Sequence, residues 1–75
     1  LPWVAMTGRE LGKRVRELRE ARGLTAIQLA DRARIAHSYI AVIEAGQQRL
    51  PPRSILARLA KALGVTEKRL QDPAA

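Results

Sequence analysis

The 75-residue chain has no cysteine and no phenylalanine, and its aromatic complement is one tryptophan, Trp3, and one tyrosine, Tyr39. Without cysteine there is no disulfide framework and no thiolate zinc site. A single histidine, His37, supplies no cluster of metal ligands. It also has no cysteine to activate and no carboxylate whose position in the sequence orients it, so neither an enzyme nor a cofactor or metal site is expected. No apolar run approaches the roughly 18 residues a membrane span needs, and the opening LPWVAM lacks the basic flank and long apolar stretch of a secretory leader. The expectation is a cytoplasmic protein with no membrane association.

What the chain does have is aliphatic. Its apolar fraction of 47% is carried by Leu, Ala, Val and Ile, a composition that suits closely packed short helices better than a sheet or an aromatic ligand cage. A chain of this length forms one small domain and depends on a single core. Fourteen Lys and Arg oppose seven Asp and Glu, a net charge of +7. Such a balance favours an anionic partner, nucleic acid or a membrane surface, although a solubilising arginine-rich surface gives the same number.

Periodicity and capping signals divide the chain into five helices. Residues 1–7 read as a flexible arm or upstream extension. Thr7 followed by Glu10 has capping-box spacing, after which Leu11, Val15 and Leu18 recur on one face until Gly23. Thr25 and Gln28 repeat the spacing before Ile27, Leu29, Ala30 and Ala33, a second helix of about two turns. Ala30 is the place expected for the tightest contact with the following helix. A sharp turn at 34–36 leads into a third helix from His37 to Ala45, with Ile40 and Ile43 inward and Gly46 at its end. After a polar loop with Pro51 and Pro52, Ile55, Leu56, Leu59, Ala60 and Leu63 mark a fourth helix stopped by Gly64. Thr66 caps a short fifth helix carrying Leu70, and residues 72–75 form a tail. Helices two and three, joined so tightly, make a helix-turn-helix.

At "LGKRVRELREARGLT", the Leu29-Ala30 pair, "YIAVIEAG" (39–46) and "LARLAKALGV" (56–65), the chain resembles the DNA-binding domain of Cro and phage-repressor regulators, the xenobiotic-response-element family, over residues 8–71. The resemblance implies an all-α, compact five-helix, lambda-repressor-like fold in which helix two braces the DNA backbone and helix three lies in the major groove. It makes His37, Ser38, Tyr39 and Val42 the outward face of the reading helix. It places phosphate contacts at Thr25, Gln28, Gln47, Gln48 and Arg49, with Arg34 beside them. It also implies a structural ion pair between Arg19 and Glu44. The chain departs from the family at Ala26, where glutamine is frequent, at Arg34 in place of a turn glycine, and at Ala36 in place of a serine or threonine cap. The loop after Gly46 is about one residue longer than the commonest form.

The residues support part of this independently. Positions 37, 38, 41 and 42 lie away from Ile40 and Ile43, so they form a strip near the helix start. Ser38 can donate or accept, His37 can bond to a base edge or phosphate, and Val42 suits a thymine methyl. Two other readings remain open here: Ser38 as the helix cap, and Tyr39 as a boundary aromatic. Lys13, Arg14 and Arg16 read as solvated charges.

The function expected is a sequence-specific double-stranded DNA-binding regulator, a homodimeric repressor at a pseudo-palindromic operator, with its dimer surface around Val65 to Leu70. The alternative is a helical protein-interaction module, which would present an apolar patch at Tyr39, Val42 and Leu50, or a DNA-binding fragment of a larger regulator or antitoxin with a further domain or protein partner. Alternating Arg and Glu in helix one argue against membrane binding.

Overall fold

The computed structural model describes residues 6–46 and 49–72. Five helices follow in order: α1 (Gly8–Ala21), α2 (Ala26–Ala33), α3 (His37–Ala45), α4 (Arg53–Leu63) and α5 (Glu67–Gln71). Both anticipated capping boxes are formed. Thr7 Oγ1 accepts from the Glu10 amide at 3.1 Å and Glu10 Oε1 accepts from the Thr7 amide at 2.9 Å. Thr25 and Gln28 reproduce the pair at 3.1 and 2.8 Å. Each box satisfies two donors that a helix start leaves orphaned. The Thr7 bonds hold the Glu10 carboxylate below its ordinary pKa.

The five helices close on one aliphatic core in which Leu11, Val15, Leu29, Ile40, Leu59, Leu63 and Leu70 are fully buried. α1 packs most extensively on α3, while α2 lies between α3 and α4. Ala30, where α2 is expected to meet α3 most tightly, is fully buried. A second close approach brings α1 onto α3. A Cβ added at Gly12 of α1 would run into the Ile43 carbonyl oxygen and the backbone of Glu44. Gly12 therefore lets α1 touch the main chain of α3.

Several expectations need correction. The N-terminal arm ends earlier than residue 7, because Met6 is 4% exposed within the core and Thr7 is the α1 cap. Residues 1–5 lie outside the described chain. Ile27, expected on the apolar face of α2, is 56% exposed. It sits at the second position of a two-turn helix whose burial is taken up by Leu29, Ala30 and Ala33. Arg14 is not simply solvated: its guanidinium donates to the carbonyls of Arg69 at 2.6 Å and Asp72 at 3.1 Å, tying the end of α5 to α1. Asp72 is thus held rather than part of a loose tail. α4 begins two residues before Ile55, at Arg53, behind Pro52. Among the described residues no helix is long and apolar enough to cross a membrane.

Candidate nucleic-acid interface

Two devices fix α3. The first is the approach of α1 at Gly12. The second is a bidentate ion pair: Arg19 Nε donates to Glu44 Oε2 at 2.7 Å and Nη2 donates to Oε1 at 3.0 Å. The remaining nitrogen, Nη1, donates to the Leu24 carbonyl at 2.9 Å, so one guanidinium joins α1, the loop before α2 and the last turn of α3. The two side chains are 13% and 12% exposed. Glu44 raises the Arg19 pKa, first through the hydrogen bond itself, against the opposing effect of burial. At this depth the pair is geometrically strong, and loss of either member leaves a poorly solvated charge.

With Ile40 and Ile43 in the core, α3 presents His37, Ser38 and Ala41 to solvent and Val42 half-buried beside them. The structure brings three of the sequence-derived reading residues, His37, Ser38 and Val42, onto this one strip. Tyr39 differs, for its ring is half-buried and packs against the core cluster. Ser38 is not the cap. α3 starts at His37 behind Ala36, which is extended and makes no side-chain capping bond. Ser38 consequently lies inside the first turn with its hydroxyl facing outward, as an exposed donor and acceptor.

His37 has a partner that sequence spacing did not reveal. Its Nε2 lies 3.0 Å from Asp31 Oδ1 on α2. An ionised carboxylate can only accept, so whenever the ring is neutral its hydrogen is on Nε2 and Nδ1 is left as an acceptor. The signal was six residues of separation across a tight turn, a distance no helical periodicity encodes.

Thr25 and Gln28 are exposed at the start of α2, and their oxygens already accept in the capping box, which leaves the Thr25 hydroxyl hydrogen and the Gln28 amide nitrogen as donors. Arg49 is exposed after α3. Gln47 and Gln48 lie outside the described residues. Arg34 stands at the turn between α2 and α3 with φ 57° and ψ 48°, the one positive-φ position among the described non-glycine residues. The turn needs that conformation: the Ile35 amide reaches back to the Ala30 carbonyl at 2.9 Å and closes α2. The Arg34 carbonyl accepts a long bond from Arg58 Nη1 at 3.5 Å.

The surface expected for self-association, around Val65 to Leu70, is mostly polar where it meets solvent. Leu70 is fully buried and Val65 half-buried, so the exposed part of α5 is polar. The suggested apolar patch at Tyr39, Val42 and Leu50 is not exposed either, since all three are half-buried. No group of three or more His, Cys, Asp or Glu able to hold a metal ion occurs among the described residues.

Comparison with known proteins agrees with this architecture. Residues 10–72 match the helix-turn-helix domain family. Over 55 residues, 73% of this chain, the sequence is 40% identical to the immunity repressor protein of Bacillus phage phi105, of whose length the match spans 38%. Among solved structures, the restriction-modification controller protein C.AhdI from Aeromonas hydrophila superposes with a TM-score of 0.78 at 33% identity, covering 84% of this chain and 94% of that one. SinR of Bacillus subtilis, the master regulator for biofilm formation, in complex with DNA, gives 0.77 at 30% identity over 80% of this chain and 95% of the chain in that structure. The chain belongs to the helix-turn-helix domain family, within the Cro and phage-repressor superfamily of transcriptional regulators.

Proposed function

We propose that this domain is a sequence-specific binder of double-stranded DNA that represses transcription as a homodimer at a pseudo-palindromic operator. The observation that carries the reading is the strip formed by exposed His37 and Ser38 with half-buried Val42 beside them, on a helix whose rotation is set by Gly12 and by the Arg19–Glu44 pair. A reading helix must offer base-edge chemistry on a rigid support, and this strip does both. Ser38 and the Nδ1 acceptor of His37 supply polar contacts, and Val42 supplies an apolar one for a thymine methyl. Tyr39 lies at the edge of the strip, where its hydroxyl serves a phosphate better than a base. Thr25, Gln28, Arg34 and Arg49 flank the strip as phosphate contacts, with Gln47 and Gln48 completing the set.

The relatives support the same reading. SinR is solved in complex with DNA, and the phage phi105 protein is an immunity repressor. Two copies of α3 in successive major grooves stand about 34 Å apart, which fixes the half-site spacing. Residence is then with the chromosomal DNA of a bacterial cytoplasm, and action is by occupancy of a promoter.

The test is selection from a random duplex library against excess bulk DNA, repeated at two salt concentrations. The reading requires a two-fold symmetric sequence whose half-sites lie about one helical turn apart. Uniform binding that vanishes with salt would sink it, since the +7 charge alone produces that behaviour.

A further inference from the structure

α2 separates two surfaces of different character. On the side of α3, its one carboxylate, Asp31, faces His37. On the side of α4, a groove of about 680 Å³ is lined by Arg32, Ala33, Arg34, Arg58, Lys61 and Ala62. None of these residues belongs to α3, so the groove is not the reading strip; Arg34 alone is shared with the phosphate contacts proposed above. Four of its six lining residues are cations and none is an acid. α4 contains no acidic residue at all. The ion pairs at Arg16, Arg19 and Arg53 involve none of these four cations.

Like charges gathered without a counter-charge oppose one another, and the cost is offset only when an anion is present. Two further features indicate that the grouping is built. Arg34 holds a left-handed backbone that glycine would adopt without strain, yet an arginine stands there at the groove edge. Arg58 Nη1 reaches the Arg34 carbonyl at 3.5 Å, which brings the guanidinium of α4 to the main chain of the turn. Arg32 and Lys61, in the last turns of their helices, also complement the helix dipoles. That role explains a cation at each helix end but not the convergence of two helices and a strained turn.

We propose that this groove is a second anion site, selective for phosphate groups. Three guanidiniums and one ammonium suit a tetrahedral phosphate, whose several oxygens can be shared by more than one planar fork. A carboxylate offers two oxygens, which a single fork consumes. The phosphate belongs either to duplex DNA beyond the base pairs met by α3 or to a soluble phosphorylated molecule, and the volume accommodates a phosphate with an attached group.

The experiment follows thermal unfolding of the whole chain in chloride and in inorganic phosphate at matched ionic strength, with pyrophosphate as a titrated probe. Phosphate should raise Tm in a saturable manner, as linkage requires of a ligand bound by the folded state. Pyrophosphate should act at roughly tenfold lower concentration because it engages more forks at once. The double variant R58Q/K61Q alters two exposed side chains and should fold normally but lose the saturable rise. R34G should start from a higher Tm in chloride and show a smaller rise. Equal increments in the parent chain and R58Q/K61Q would indicate general salting-out and overturn the proposal. A poly-glutamate peptide acting at the same concentration as pyrophosphate would overturn the phosphate selectivity.

Titration of R58Q/K61Q with short and long duplexes separates the two sources. Weaker binding confined to the long duplex assigns the phosphate to flanking DNA, and unchanged affinity for both assigns it to a soluble ligand. The phosphate measurements contain no DNA, so failure of the DNA-binding reading leaves this outcome unaffected.

Discussion

Replacing Arg34 by glycine should make the domain more stable. At φ 57° and ψ 48° an L-residue with a Cβ carries a strain of about 1–2 kcal/mol that glycine escapes. Against this, glycine widens the unfolded ensemble, at a cost of about 0.4–1 kcal/mol. The bond from Arg58 is made to the Arg34 main-chain oxygen, so it survives the change. Removing one of four clustered cations adds a further small gain. The net expectation is a stabilisation of about 0.5–1 kcal/mol, which for a domain of this size is a Tm increase of roughly 2–8 °C. Urea and thermal unfolding at moderate salt measure it directly, and unchanged m-values would place the effect on stability rather than on the compactness of either state. A variant that unfolds earlier than the parent would refute the reasoning, because it would mean that the arginine side chain contributes more than its backbone costs.

Three other outcomes are expected. Glu44→Ala leaves the Arg19 guanidinium at 13% exposure without its carboxylate and should destabilise the chain by about 3–5 kcal/mol in denaturant titrations; a loss below about 1 kcal/mol would show that the pair behaves as an exposed one. Gly12→Ala places a methyl against the α3 main chain, and overpacking of this kind should cost about 1–3 kcal/mol or more, with DNA affinity falling further than stability accounts for if α3 shifts. The Glu10 carboxyl has its pKa lowered in the folded state by the Thr7 bonds, so its contribution is present above its unfolded pKa and lost as pH falls through the folded value. Glu10→Gln should flatten the acid side of the stability–pH curve, and an unaltered slope would remove the capping box from the account.

The helices were legible because their signals are local. Thr7 with Glu10 and Thr25 with Gln28 announce two helix starts in four residues each, and Leu11, Val15, Leu29, Ile40, Ile43, Leu59 and Leu63 follow a period that one chain segment sets for itself. What sequence did not reveal depends on two segments meeting. Gly12 looks like a weak point in a helix until the Ile43 carbonyl lies against it. Asp31 looks like an ordinary surface acid until the turn at Arg34 folds His37 back toward it. Met6 and Arg14 look loose or solvated in sequence because nothing near them there explains what they touch; the core and the end of α5 do.

The same distinction governs the candidate site. Which residues of α3 face outward follows from the burial of Ile40 and Ile43, and that much periodicity supplies. How those residues act depends on contacts across the turn. A histidine that gives its Nε2 hydrogen to Asp31 meets a base edge as an acceptor while the ring is neutral, and the same histidine without Asp31 is free to donate instead. In the major groove an acceptor pairs with the amino group of adenine or cytosine, and a donor with the guanine acceptors or the O4 of thymine. On the proposed reading, the identity of residue 31 on α2 therefore bears on which base residue 37 would favour, and α2 would contribute to the chemistry of the strip as well as to its support.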